Sequence, residues 1–230
     1  MIRIYFLVFC LMAVFSFSCS TNRFVEPLDK GELEIGGNGG GPLLNFGGSS
    51  IPLPLSSVYA GYGYSDDLTL YGGLHITSLA FKTLQLEAGA RKKLVVGHSI
   101  YPSVSGALAV NGIVSLRDGA TRVFPEIALN PYWRYGRWKT YTGLQAWFDF
   151  YKFSTQNYGY GGFFVPAISV GQTVDLADWE IGIEYKRLAF NVPSENSVVD
   201  YIVPSGIGAH GIYLNASRSF GYKAKTKIDE

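Results

Sequence analysis

The stretch "WEIGIEYK" (Trp179–Lys186) alternates bulky apolar and polar residues along its whole length. An extended chain puts Trp179, Ile181, Ile183 and Tyr185 on one face, and Glu180, Gly182, Glu184 and Lys186 on the other. The segment reads as a β-strand, and the fold depends on which face is covered. In a soluble sandwich the apolar row faces a core and the charged row faces water. In a transmembrane β-barrel the apolar row faces lipid and the charged row faces the lumen.

The pattern recurs on either side. "LTLYGGLHIT" (Leu68–Thr77) sets Leu68, Leu70, Leu74 and Ile76 against Thr69, Tyr71, His75 and Thr77. Leu84–Arg91 and Thr140–Phe150 carry Gln85, Glu87, Arg91, Gln145 and Asp149 on their polar faces. Ten strands are expected, over residues 31–47, 54–64, 68–77, 84–96, 103–116, 121–135, 139–151, 162–174, 178–188 and 207–220. Most have the length that crosses a bilayer when tilted. Strands of soluble proteins average about five or six residues.

An even strand count places both chain ends on one side. The two longest connections, 152–161 and 189–206, then share one end, and the short turns "SDD" (65–67), "GRW" (136–138) and "DLA" (175–177) share the other. Outer-membrane barrels have this asymmetry, with short periplasmic turns and longer extracellular loops. Aromatic residues collect near both ends. Tyr62, Tyr64, Trp133, Tyr135, Trp138, Trp179, Phe220 and Tyr222 fall near the short turns. Phe124, Phe148, Phe150, Phe153, Phe163, Phe164 and Phe190 fall near the long loops. Two such belts flanking an aliphatic band mark a membrane barrel. Charged residues are only 16% of the chain, against about a quarter in ordinary soluble proteins. The expected fold is all-β: a closed antiparallel up-and-down transmembrane β-barrel of about ten strands, with eight as the alternative.

The N-terminus reads as an export signal. Met1–Arg3 is a short basic region, and Ile4–Phe17 is apolar except for Ser16, too short for a spanning helix. "FSFSCSTN" (Phe15–Asn22) closes it and contains Cys19. Cys10 falls in the removed part, so the mature chain has no disulfide. Removing Arg3 leaves 18 basic and 18 acidic residues. That balance argues against nucleic acid as a partner. The Cys19 region resembles a bacterial lipobox, in the looser spelling of Bacteroidetes-type lipoproteins. The resemblance implies that Cys19 is diacylated and becomes the mature N-terminus. The expected organisation is a signal peptide (1–18), a lipidated polar tether (19–30), the barrel (31–222) and a periplasmic tail (223–230).

The lipobox-like start, the opening "KGELEIGG", the hairpin "GYGYSDDLTLYGGL" and the final "GIYLNASRSF" resemble small Gram-negative outer-membrane β-barrel proteins. That resemblance implies outer-membrane lipid and the barrel assembly machinery as partners, and periplasmic termini. Ten residues follow Phe220, so an aromatic signal does not sit at the C-terminus itself.

If lipid covers the apolar faces, the polar faces line the lumen. Glu87, Arg91, Glu126, Arg134, Asp149, Glu180, Glu184 and Lys186 are the expected lumenal charged network, with Glu32, Glu34, His75, Asn111, Asn130, Gln145 and Asn215 beside them. Buried charges of both signs must pair, and about ten strands leave little open space. Trp133, Trp138, Trp179 and Phe220 are the expected belt markers. The glycine run "IGGNGGGP" (Ile35–Pro42) lacks the Lys-Ser or Lys-Thr of a phosphate loop and reads as a bent strand. His75, His98 and His210 are scattered and suggest no metal site, although His75 and His210 are candidates to face each other across the barrel. No nucleophile motif is present, and no enzyme activity and no cofactor are expected. A lipid-modifying enzyme is the minor alternative. Loops 152–161 and 189–206 are the expected places for an extracellular ligand. The functional expectation is a small outer-membrane barrel with a structural or adhesive role or a narrow polar path. The alternatives are a small-solute channel and a periplasm-facing, lipocalin-like lipoprotein.

Overall fold

The computed structural model describes residues 21–46, 48–98, 100–149, 164–193, 201–203 and 206–221. In chain order the elements are β1 (Leu33–Phe46), β2 (Ser49–Pro52), β3 (Leu55–Ser65), β4 (Leu68–His75), α1 (Ile76–Ala80), β5 (Thr83–Val95), β6 (Ser103–Ser115), β7 (Thr121–Tyr135), β8 (Trp138–Phe148), β9 (Phe164–Leu176), β10 (Trp179–Pro193) and β11 (Ile207–Phe220).

Consecutive strands from β3 to β11 pair antiparallel. β1 pairs with β3 on one side, from Leu33↔Tyr62 to Gly40↔Leu55, and with β11 on the other, from Leu33↔Phe220 to Pro42↔Gly211. The ladder therefore closes into a ten-strand barrel, with β2 as a side hairpin. Closure leaves no open edge, as a sheet in lipid requires. Leu33 of β1 and Phe220 of β11 pair at the end of the barrel that carries the two-residue turns 66–67, 136–137 and 177–178. That end is called the turn end below, and the other the loop end.

The ten expected strands are all present, with their ends shifted by a few residues. Two departures lie at the loop end. Residues 76–77 leave the strand for α1, because the Thr77 hydroxyl accepts the Ser56 N–H at 2.8 Å in place of a ladder bond. Residues 49–52, expected as a connection, pair with Leu43–Phe46 as β2. Gly40, at φ +123°, turns β1 away from β3 at that point. The glycine run is thus a strand with a bend, in continuous register with β11.

The pattern of exposure is inverted relative to a soluble protein. Leu70, Leu86, Leu108, Ile127, Leu144, Ile168, Ile183 and Leu214, from eight successive strands, all point outward and are exposed. Thr69, Arg91, Asn111, Asn130, Glu184 and Lys186 point inward and are completely buried. In water this exterior would be an apolar patch far larger than monomers tolerate. In lipid it is the ordinary outer face of a membrane barrel. Among the described residues no helix is long and apolar enough to cross a membrane.

At the turn end Tyr62, Tyr64, Tyr135, Trp138, Trp179 and Phe220 face outward, and the Trp133 indole donates to the Ile100 carbonyl at 3.0 Å. The loop-end belt is thinner. Phe164 and Phe190 face outward, but Phe124 turns inward and packs with Ile113 and Trp147. Phe124 shares the inward parity of Glu126 along β7, so alternation overrides its aromatic character. Tyr222, Phe150, Phe153 and Phe163 lie outside the described residues.

Candidate functional site

The lumen is the place where chemistry-bearing side chains converge, and it is occupied by the chain itself. Residues 21–28 thread it from the turn end. Thr21, Asn22, Arg23, Phe24, Val25 and Leu28 are all buried. The sequence reads this stretch as a polar tether, and the structure makes its described part a strap inside the barrel. Cys19 and the signal segment lie outside the described residues.

At the turn end the chain enters along β3 and β4. The Gly31 N–H donates to the Gly63 carbonyl at 2.8 Å, and the Gly63 N–H donates to the Glu32 carbonyl at 2.9 Å. The Leu28 N–H donates to Thr69 Oγ1 at 2.7 Å. Deeper in, the Val25 carbonyl accepts from Ser105 Oγ at 2.5 Å, and the Val25 side chain packs on Tyr132 and Tyr141. Phe24 sits edge-on to Tyr59, 5.6 Å between ring centres, and against Tyr71. Arg23 pairs with Glu87 at 3.0 Å. Asn22 donates its backbone N–H and its side-chain amide to Glu184, and the same amide to Ser169.

The wall is shaped to receive this segment. A Cβ at Gly61 would lie 2.4 Å from the Phe24 ring, and one at Gly63 would lie 1.9 Å from the Asp29 carbonyl oxygen. Both glycines point inward on β3, where any larger residue would fill the strap's place.

The expected network residues divide by depth. Glu87, Arg91, Glu126, Glu184 and Lys186 are buried together in the lumen. Arg91 donates to Ser105 at 3.1 Å and to Asn130 at 2.5 Å, so Ser105 links it to the strap. Glu184 accepts from Tyr141 at 3.0 Å and lies 3.2 Å from the Lys186 ammonium. Glu126 accepts from Gln145 at 2.9 Å and Asn111 at 3.3 Å. Arg134 and Glu180 sit at the more open turn-end mouth: Arg134 pairs with Asp175 and with Glu26 of the strap, and Glu180 with buried Lys139 at 2.6 Å. Asp149 is half-buried just beyond β8 at the loop end. Each central charge thus faces an opposite charge or several polar partners, as the cost of desolvation demands.

The loop half of the lumen is lined differently. Phe124 and Trp147 stand 5.8 Å apart at a shallow 30°, with Ile113 and Val165 beside them.

His75 lies in the lumen, 3.7 Å from Glu87. His210 does not face it. His210 is on the outer face of β11, hydrogen-bonded to Tyr185 on β10, because the inward parity of β11 falls on Gly211, Tyr213 and Asn215. Among the described residues no cluster of His, Cys, Asp and Glu is arranged to hold a metal. Of the two long loops, 152–161 lies outside the described residues. Tyr201, from the other, forms a bridge with Leu44 and packs against Ala167, Leu188 and Ala209.

The strap had a faint sequence signal. "TNRFVEPLDK" (Thr21–Lys30) carries Phe24, Val25 and Leu28, which a solvated tether has no use for. Gly61, Gly63 and Gly73 stand at inward positions of strands whose other inward residues are large or polar.

No protein-family model and no curated protein matches the sequence. Solved structures do match in shape. NanC porin is similar at 8% identity, covering 83% of this chain and all of that one, with a TM-score of 0.45. The translocator domain of the autotransporter NalP from Neisseria meningitidis is similar at 11% identity, covering 85% of this chain and 91% of that one, also at 0.45. The N-terminal β-barrel domain of Pseudomonas aeruginosa OprF is similar at 9% identity, covering 84% of this chain and all of that one, at 0.31.

Proposed function

We propose that this protein is a small porin-like barrel of the outer membrane. Its turn end faces the periplasm, and its narrow polar lumen is shut at rest by its own N-terminal strap. One observation carries the reading: the strap's polar contacts in the lumen, with Ser57, Glu87, Ser105, Ser169 and Glu184, are to polar and charged groups that water can also solvate. Removing it would leave a hydrated, charge-lined path rather than an empty apolar hole. The test cuts the strap in the folded protein. Lys30 and Gly31 are exposed at the turn-end rim, so a protease site placed there is accessible. Intact protein in planar bilayers is expected to show no steady conductance, and cleaved protein small discrete steps.

The apolar cluster of Ile113, Phe124 and Trp147 favours a second reading, a permanently filled barrel with a structural or adhesive role through its loops. It predicts that cleaved protein stays silent.

A further inference from the structure

Arg23 is held the way a bound ligand is held. Its Nη1 lies 3.0 Å from Glu87 Oε2, and its Nη2 donates to Ser57 Oγ at 2.9 Å. The guanidinium carbon stands 4.9 Å from the centre of the Tyr59 ring, within reach of a cation–π contact. Gly73 makes the floor, where a Cβ would lie 1.9 Å from Nη1. Behind these, Asn38 accepts from Ser57, and His75 Nε2 stands 3.7 Å from Glu87.

Every member of this niche belongs to the barrel wall, on β1, β3, β4 and β5, and only Arg23 belongs to the strap. The niche is therefore complete without the strap. Its parts suit a planar cation: a carboxylate within ion-pair reach of one amino group, a hydroxyl that accepts from the other, an aromatic face, and a slot with no side chain at its base. An ammonium ion is a compact point charge and satisfies the carboxylate alone.

We infer that the niche of Ser57, Tyr59, Gly73 and Glu87 is a guanidinium-recognition site, that Arg23 is its built-in occupant, and that a solute bearing a guanidinium group competes with Arg23 and loosens the strap. This deepens the reading of the strap as a stopper and rests on it for the second half of the claim. Competition is uphill, because a tethered group acts at an effective concentration in the millimolar range and Asn22, Phe24 and Leu28 hold the strap as well.

The first test is chemical rescue in the full chain, refolded in detergent. Arg23→Ala is expected to lower the temperature at which the compact band converts to the unfolded band on gels. Methylguanidinium at about 10 mM, above the tethered range, is expected to restore at least half of that loss. Methylammonium and urea, which match its charge and its shape separately, are expected to restore none. Adding Glu87→Gln to Arg23→Ala is expected to abolish the rescue. If Arg23→Ala does not fold, the readout becomes the yield of folded band with and without methylguanidinium. Absence of rescue, or equal rescue by methylammonium, overturns the site.

The second test follows a single thiol at position 25, in a Val25→Cys chain that also carries Cys10→Ser and Cys19→Ser. L-arginine is expected to speed its labelling several-fold over citrulline, its neutral isostere. Equal rates overturn the competition. Rescue without conductance after strap cleavage would refute the path while leaving the guanidinium site standing, so the two failures are distinguishable.

Discussion

Asn22 and Glu184 lie 162 residues apart in sequence, yet one Glu184 oxygen accepts both the Asn22 backbone N–H at 3.0 Å and its side-chain amide at 2.8 Å. Glu184 is wholly buried on the inner face of β10. A carboxylate in that position needs donors, and the strap supplies two of them. Strap and wall are thus parts of one polar network.

Asn22→Ala removes the amide donor and leaves Glu184 with less compensation. A hydrogen bond to a charged group contributes about 1.5–3 kcal/mol. The variant is expected to lose about 2 kcal/mol in urea unfolding followed by circular dichroism. An unchanged midpoint would mean that water replaces Asn22 without cost.

Gly63→Val separates wall from strap. The added atoms meet the Asp29 carbonyl, which lies 1.9 Å from the position of a Cβ. The ladder itself accepts valine readily. The variant is expected to fold as a barrel, retain its heat-modifiable mobility and conduct without any cleavage. A silent, folded Gly63→Val barrel would show that the strap does not close the lumen.

On the exterior, Ile183 and Trp179 sit on the same strand at different depths. Ile183→Lys places a charge within the apolar band and is expected to cost about 2–4 kcal/mol, whereas Trp179→Lys at the turn-end belt is expected to cost about 0–1 kcal/mol from its charge. Equal, small losses in lipid vesicles would argue that the outer face does not meet lipid.

The barrel was readable because its rule is simple. Alternation in Trp179–Lys186 and Leu68–Thr77 fixes two faces per strand, and the long loops sharing one end decide which face meets lipid. The buried lumenal charges Glu87, Arg91, Glu126, Glu184 and Lys186 follow from the same parity. Phe124 was misplaced because depth along a strand was given more weight than parity. His210 was misplaced because its polarity was given more weight than its parity, which is that of Ile212 and Leu214 and opposite to lumenal Asn215. The strap was missed for a deeper reason. Its partners Ser57, Thr69, Glu87, Ser105 and Glu184 come from five strands, and only closure of the barrel brings them around one axis. No local period records that a loop-like segment will thread a lumen.

The most direct measurement is a nuclear Overhauser experiment on detergent-solubilised protein with labelled valine methyls and tyrosine rings. Val25 packs on Tyr132 and Tyr141 in the lumen. The account predicts cross-peaks from the Val25 methyls to both rings, with Val25 shifted from its random-coil position by ring currents. A Val25 at random-coil shift, with no contact to either ring, would contradict the account.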